Sequence, residues 1–179
     1  MDTLNLSATT IEKSRERLEE TFASLEIKAP AVPYPASKTV EEGKLLRGEM
    51  EGTFTKNLLL KDKKGNKFLL AVHEDRNLNL KTLHKRLDAR GHLGFVAADV
   101  MVDLLGVVPG ALTPLAIIND DENAVNVVID AELMAADQLN FHPLINTESV
   151  GLHPEELQKF IRACGREPII VDFDIELTE

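Results

Sequence analysis

Lys56 and Asn57 stand side by side in the run Phe54-Thr55-Lys56-Asn57-Leu58-Leu59-Leu60-Lys61-Asp62, a cation and a carboxamide within a largely apolar stretch. Period-two alternation puts Lys56 on one strand face with Phe54, Leu58 and Leu60. Lysine is rarely buried without a partner, so its ammonium either snorkels to an edge or meets an anion in a cleft. Asn57 falls on the opposite face unless a twist or bulge brings both side chains to one cleft. Pattern alone favours an edge lysine, because hairpin strands often carry lysine there.

Two further segments hold chemistry-bearing residues. Gly106-Val107-Val108-Pro109-Gly110 joins permissive glycines to a Pro-Gly turn, and such a loop can aim successive backbone N–H groups at a carbonyl oxygen or phosphate. A plain helix-to-strand connection is its ordinary reading, and it matches neither the Walker nor the dinucleotide-binding glycine pattern. In Phe141-His142-Pro143, Pro143 biases His142 towards an extended backbone, which fixes the direction of a side chain that titrates near neutral pH. A lone histidine is more often structural than catalytic, and no chemical partner adjoins it in sequence.

The remaining candidates read as structure. His73, His84, His92 and His153 lack the spacing of a zinc site, and the single cysteine, Cys164, excludes a multi-cysteine metal site within the chain. No metal and no cofactor are expected. Cys164 lies on the apolar stripe of a helix and reads as core. Asp120, Asp121 and Glu122 lack calcium-loop spacing and read as a solvated turn. Lys81, Lys85, Arg86 and Arg90, with His84 and His92, form the densest basic stretch, read as a solvated helix face that could also touch phosphates.

The elements that must position these residues follow from periodicity. Ile11, Leu18, Phe22 and Leu25 predict an amphipathic helix over about residues 10 to 26 behind Thr9 or Thr10 as N-cap, broken by Pro30, Pro33 and Pro35. Thr39 with Glu42 fits a capping box, Leu45 and Leu46 supply apolar contacts, and Gly48 ends that helix. Residues 53 to 61 and 67 to 72 flank a turn at 62 to 66 and predict a hairpin. Leu80, Leu83 and Leu87 mark a third helix before Gly91, and residues 97 to 105 a fourth, stopped by Gly106. Residues 115 to 118 and 124 to 129 around 119 to 123 predict a second hairpin, and 138 to 141 and 145 to 150 further strands. Pro154 opens a last helix carrying Leu157, Phe160, Ile161 and Cys164, Gly165 closes it, and 169 to 173 form a final strand. Mixed order with hairpins implies α+β, a mixed and largely antiparallel central sheet flanked by helices, in one domain spanning 1 to 179.

Composition bounds the function. Of 179 residues 44% are hydrophobic and only 4% aromatic, which implies one aliphatic core. The N-terminal residues show no signal-peptide pattern and no run spans a membrane, so a cytosolic location is expected. A net charge of −10 repels polyanions at long range, so any nucleic-acid contact must be local.

Taken together, the Lys56-Asn57 string, the loop running on to Ala111-Leu112-Thr113-Pro114 and the Asn140-Phe141-His142-Pro143 turn resemble the YbaK/prolyl-tRNA editing family over about residues 10 to 175. The nearest branch is that of the free-standing alanyl-tRNA(Pro) deacylases. The resemblance implies a single α+β domain that cleaves alanine from mischarged proline tRNA without a cofactor. It implies that Lys56 holds the phosphate or ribose of the tRNA 3′ end and that Asn57 orients the aminoacyl group or attacking water. It further implies that Gly106, Pro109 and Gly110 present N–H groups to the ester carbonyl, and that His142 sits at the rim of the amino-acid pocket. Tyr34 stands where many relatives carry histidine. Partners implied are mischarged tRNA and prolyl-tRNA synthetase, with the chain a monomer. A deacylase for cysteine or another small amino acid, a non-catalytic tRNA- or synthetase-binding module and a domain unrelated to translation are the alternatives. No Ser-His-Asp or Cys-His set is visible, so a positioned water, helped by the ribose hydroxyl, is the expected nucleophile. Lys56→Ala is predicted to lose most deacylation while keeping its circular dichroism spectrum; wild-type rates in that variant would reject the assignment.

Overall fold

The computed structural model describes residues 6–177, so the N-terminal residues 1–5 read above for a leader lie outside the described residues. Helix α1 is Ala8–Ser24, with Ser7 as N-cap accepting from the Thr10 N–H. The cap lies two residues before the expected Thr9. Leu18 and Phe22 form its buried stripe, and Phe22 meets Phe160 edge-on with 5.7 Å between ring centres.

Strand β1 (Val32–Pro33) and helix α2 (Val40–Arg47) precede strands β2 (Thr53–Lys61) and β3 (Lys67–His73), the predicted hairpin. Then come α3 (Leu83–Arg86), β4 (Gly94–Phe95), α4 (Ala98–Leu105) and β5 (Val125–Asp130). The chain closes with β6 (Leu139–Phe141), β7 (Glu148–Leu152), α5 (Pro154–Ala163) and β8 (Ile169–Val171). One sheet runs β1-β7-β6-β2-β3-β5-β8, with β4 paired to β2. β2/β3, β2/β4, β6/β7 and β1/β7 are antiparallel, whereas β2/β6, β3/β5 and β5/β8 are parallel. The expected mixed, largely antiparallel sheet flanked by helices is what forms.

Alternation along these strands divides the apolar side chains between two faces. Leu59, Leu69, Ala71, Val127 and Ile129 enter the large core with α1, α4 and α5, while Leu60, Phe68, Leu70, Val72 and Val128 meet Leu83 and Leu87 on the other face. Both faces of the central strands are therefore covered.

Four expectations fail for local reasons. The second hairpin does not form: Pro114–Asn119 is a 3-10 turn, begun by Pro114 and by the Thr113 hydroxyl accepting from the Leu115 N–H, and β5 pairs with β3 in parallel. A short, wholly buried apolar run carries no period to separate strand from helix. The third helix shrinks to α3, because the Asn79 carbonyl accepts from Thr82 and Leu83 in a turn before it and Asp88 adopts φ 51° after it. Leu45 and Leu46 are 84% and 52% exposed, since the inward side of α2 is taken by Gly43 and Arg47. Asp120 is buried rather than solvated. Its carboxylate accepts from the Ala124 and Val125 N–H groups and from Arg166, which tethers the segment after α5 to the start of β5.

Removing one member of a buried, hydrogen-bonded ion pair strands the other charge. Asp120→Ala is predicted to lower the unfolding free energy by about 3 kcal/mol, seen as a lower urea midpoint at unchanged slope. A loss below about 0.5 kcal/mol, the range of ordinary surface changes, would contradict this reading of Asp120.

Candidate functional site

A cleft of about 210 Å3 opens between α2, the N-terminal half of β2, the turn at Pro109–Ala111 and the β6–β7 connection. Its wall includes Tyr34, Arg47, Phe54, Asn57, Gly110 and His142. Segments far apart in sequence are brought together here by β2, which pairs with β6 through Thr53 and Phe54 and with β3 from Thr55 onward.

Asn57 is the most informative wall residue. Its Nδ2 donates to the Leu112 carbonyl at 3.0 Å, which fixes the amide orientation because a carbonyl can only accept. Its Oδ1 is thereby placed, buried, and has no hydrogen-bond partner. An unpaired buried acceptor costs about 1–3 kcal/mol, a cost that a bound donor removes. The sequence expected an orienting amide at this position, and the structure gives it a free acceptor.

The loop divides its labour. Gly106 ends α4 in the left-handed region at φ 62°, and a side chain there would place Cβ 2.8 Å from Asn119 Nδ2. Asn119 in turn donates to the Leu105 carbonyl. Gly106 therefore shapes the loop from behind and is not on the cleft wall. Pro109 and Gly110 are on it. The Ala111 N–H bonds the Val108 carbonyl and that of Leu112 bonds the Pro109 carbonyl, while Gly110, in the first turn, keeps a backbone N–H with no acceptor within that turn.

His142 is held by its Nδ1 donating to the Glu148 carbonyl at 2.9 Å, which leaves Nε2 as an acceptor in the neutral ring. Burial pushes its pKa below the ordinary 6.5, and the bond to Glu148 offsets only part of that shift. Arg15 on α1 pairs with the Glu148 side chain, so the first helix braces the segment that orients His142. Tyr34 stacks edge-on against His142 at 5.1 Å and lies 6.0 Å from Phe54.

The wall opposite is a locked ion pair. Arg47 grips Glu74 with two bonds of 2.6 and 2.7 Å, and its guanidinium lies 3.6 Å over the Phe54 ring. With both carboxylate oxygens engaged, Glu74 is a structural acid. Gly43 lets α2 approach, since a Cβ there would sit 2.9 Å from the Tyr34 hydroxyl. Sequence reasoning did not find Arg47 or Glu74, because no motif spacing links them, and it named Asn140 only as part of the turn before His142. Tyr34 was noticed only as a departure.

Lys56 is half-buried and does not line the cleft. It alternates onto the face of Leu58 and Leu60, opposite Asn57, and is absent from the ion pairs formed among the described residues. The strand thus brings Asn57, Pro109, Gly110 and His142 to one cavity and sends Lys56 and Gly106 elsewhere. Cys164 packs against the main core, and burial raises its thiol pKa, as a structural cysteine requires. No helix among the described residues is long and apolar enough to cross a membrane.

The family model of the aminoacyl-tRNA editing domain matches residues 34–160, which includes every cleft residue discussed above. The chain belongs to this family. Editing is hydrolysis of the ester between an amino acid and its tRNA, so this editing domain is an aminoacyl-tRNA hydrolase. It is 37% identical over 164 residues to the prolyl-tRNA synthetase associated domain-containing protein 1 of Mus musculus, covering 89% of this chain and 96% of the relative. It is 30% identical over 142 residues to the prolyl-tRNA editing protein ProX of Acetoanaerobium sticklandii, covering 79% and 86%. A crystal structure described as a candidate trans-editing enzyme for prolyl tRNA synthetase aligns with TM-score 0.67 at 18% identity over 94% of this chain and 99% of that one, a likeness of fold.

The direction of the His142 shift sets a pH prediction. Its folded pKa lies below its unfolded value, so between the two the unfolded chain binds more protons and stability falls as pH drops through that window. Denaturant melts of wild type and His142→Gln on either side of pH 6.5 are predicted to show a steeper acid loss in wild type. Parallel losses in the two proteins would remove His142 as the cause.

Proposed function

We propose that the editing domain removes alanine from mischarged proline tRNA, acting in trans. The observation that carries this reading is the buried, unpaired Oδ1 of Asn57, a residue of the cleft wall. A neutral carboxamide oxygen left without a partner suits the α-ammonium group that every esterified amino acid presents. The names of the relatives, prolyl-tRNA editing and prolyl-tRNA synthetase associated, support proline tRNA as the carrier and the synthetase as a partner.

The need for such a site follows from binding physics. A pocket built for proline rejects a smaller amino acid by only ~1–3 kcal/mol per missing methylene, so a second, size-limited site restores fidelity. A cavity of about 210 Å3 suits a small side chain with an attacking water.

In this reading Asn57 Oδ1 holds the α-ammonium and thereby fixes the ester carbon. The Gly110 N–H donates to the carbonyl oxygen as it gains charge, and His142 Nε2 and Tyr34 bound the side-chain pocket. Water attacks the ester carbon, the C–O bond to the ribose breaks, and the vicinal ribose hydroxyl relays the proton to the leaving oxygen. Lys56, outside the cavity and one residue before Asn57, meets the phosphate backbone of the tRNA 3′ end. In this reading the chain works as a monomer.

Deacylation of a panel of tRNAs carrying alanine, cysteine, serine and proline is the direct test. Alanine released fastest, with prolyl-tRNA spared, is the expected result. Preferential release of cysteine would move the assignment to a cysteine deacylase, and release of proline would refute the size limit.

A further inference from the structure

We propose that the tip of the β2–β3 hairpin and the segment packed on it form a second binding site, one that docks the phosphate backbone of the tRNA acceptor stem. This inference rests on the aminoacyl-tRNA reading of the cleft and adds a surface outside it. Lys61, Lys63, Lys64, Lys81, Lys85 and Arg90 are all exposed there. None of the six forms an ion pair among the described residues. They are concentrated on one surface of a chain whose net charge is −10.

Contacts between the two segments show that these cations share one surface. The Lys63 N–H donates to the Arg90 carbonyl, and Gly91 lies so close that a Cβ there would sit 2.8 Å from the Lys63 side chain. Lys61 is paired with Gly94 in β4. His92 bonds the Lys81 carbonyl and stacks edge-on against His84 with 4.7 Å between centres, which joins the Lys81–Lys85 stretch to the same surface.

The hairpin's acid is turned inward. The Asp62 carboxylate is 5% exposed and accepts from the backbone N–H groups of Lys64, Asn66 and Arg90 and from the Asn66 side chain. Burial alone would raise its pKa, but these bonds hold it lowered to about 2. Asp62 therefore ties the two segments together while their cations point out. Uncompensated like charges repel and cost stability, and a polyanion relieves that cost by releasing counterions.

Position along β2 gives the surface its purpose. Asn57 marks the cleft, and Lys61 follows four residues later at about 13 Å along the strand. Lys56 stands one residue before Asn57 and, by alternation, on the opposite strand face, the face on which Phe95 pairs with Leu60 and is 61% exposed. Exposed Phe95 thus stands next to Gly94, the strand partner of Lys61, and adds an aromatic platform to the cations of the hairpin tip.

The test uses Lys63→Gln/Lys64→Gln/Lys85→Gln in the full chain, with uncharged tRNA in a salt-titrated binding assay and with alanyl-tRNA and an alanylated CCA trinucleotide as substrates. Expected are at least about tenfold weaker tRNA binding, a salt slope smaller by about 2–3, a raised KM on tRNA and an unchanged rate on the trinucleotide. Wild-type affinity and salt slope in the variant overturn the proposal, as does an equal loss on the trinucleotide. If the wild type hydrolyses neither substrate, the deacylase reading fails, and the binding assay still decides the surface. Circular dichroism of the variant, together with the milder Lys85→Gln alone, separates lost binding from lost folding.

Discussion

The hydrogen bond from Asn57 Nδ2 to the Leu112 carbonyl is the constraint on which the site depends. It ties the central strand to the loop that follows α4, so the Gly110 N–H and the strand face keep one spacing. It also commits the amide, leaving Oδ1 buried and without a partner on a residue of the cleft wall. A folded chain tolerates such a group where the missing partner is a ligand or a water. The cavity thus carries its recognition element as an unsatisfied acceptor on a rigid strand, which limits the ordering cost of binding.

Around that element the wall is held by interactions of little intrinsic stability and high directionality. The Arg47–Glu74 pair is nearly buried, at 12% and 9% side-chain exposure, so its attraction is largely offset by desolvation. Its two-bond geometry and its place over Phe54 fix α2 against the strand. On the far side, Arg15 and the Glu148 carbonyl hold His142 from behind. Both braces reach the cleft from elements outside β2, so the cavity is a product of tertiary packing.

Local signals in the sequence were strong wherever residues fix their own backbone. The β2–β3 hairpin, α4 with its stop at Gly106 and α5 with Pro154 at its first position were all legible, because alternation, a left-handed glycine and a proline at the first helical position act over a few residues. Pro114–Asn119 was misread because a buried apolar run has no period. Asp120 looked solvated because its partner Arg166 lies 46 residues away. Within the site, motif positions 57, 109, 110 and 142 converge on one cleft, while the Arg47–Glu74 lock stayed hidden because charges separated in sequence reveal pairing only after folding. Lys56 and Gly106 belonged to the same motifs, yet neither lines the cavity, and Gly106 is taken up in ending α4.

The most direct test of this account is the single-turnover rate of alanyl-tRNA(Pro) hydrolysis in Asn57→Ala against wild type, with tRNA affinity measured in parallel. A buried acceptor that holds the α-ammonium is worth about 1–3 kcal/mol, so the rate is predicted to fall by roughly ten- to a hundredfold while tRNA affinity changes little. A rate within about threefold of wild type would show that the substrate does not use Asn57 Oδ1.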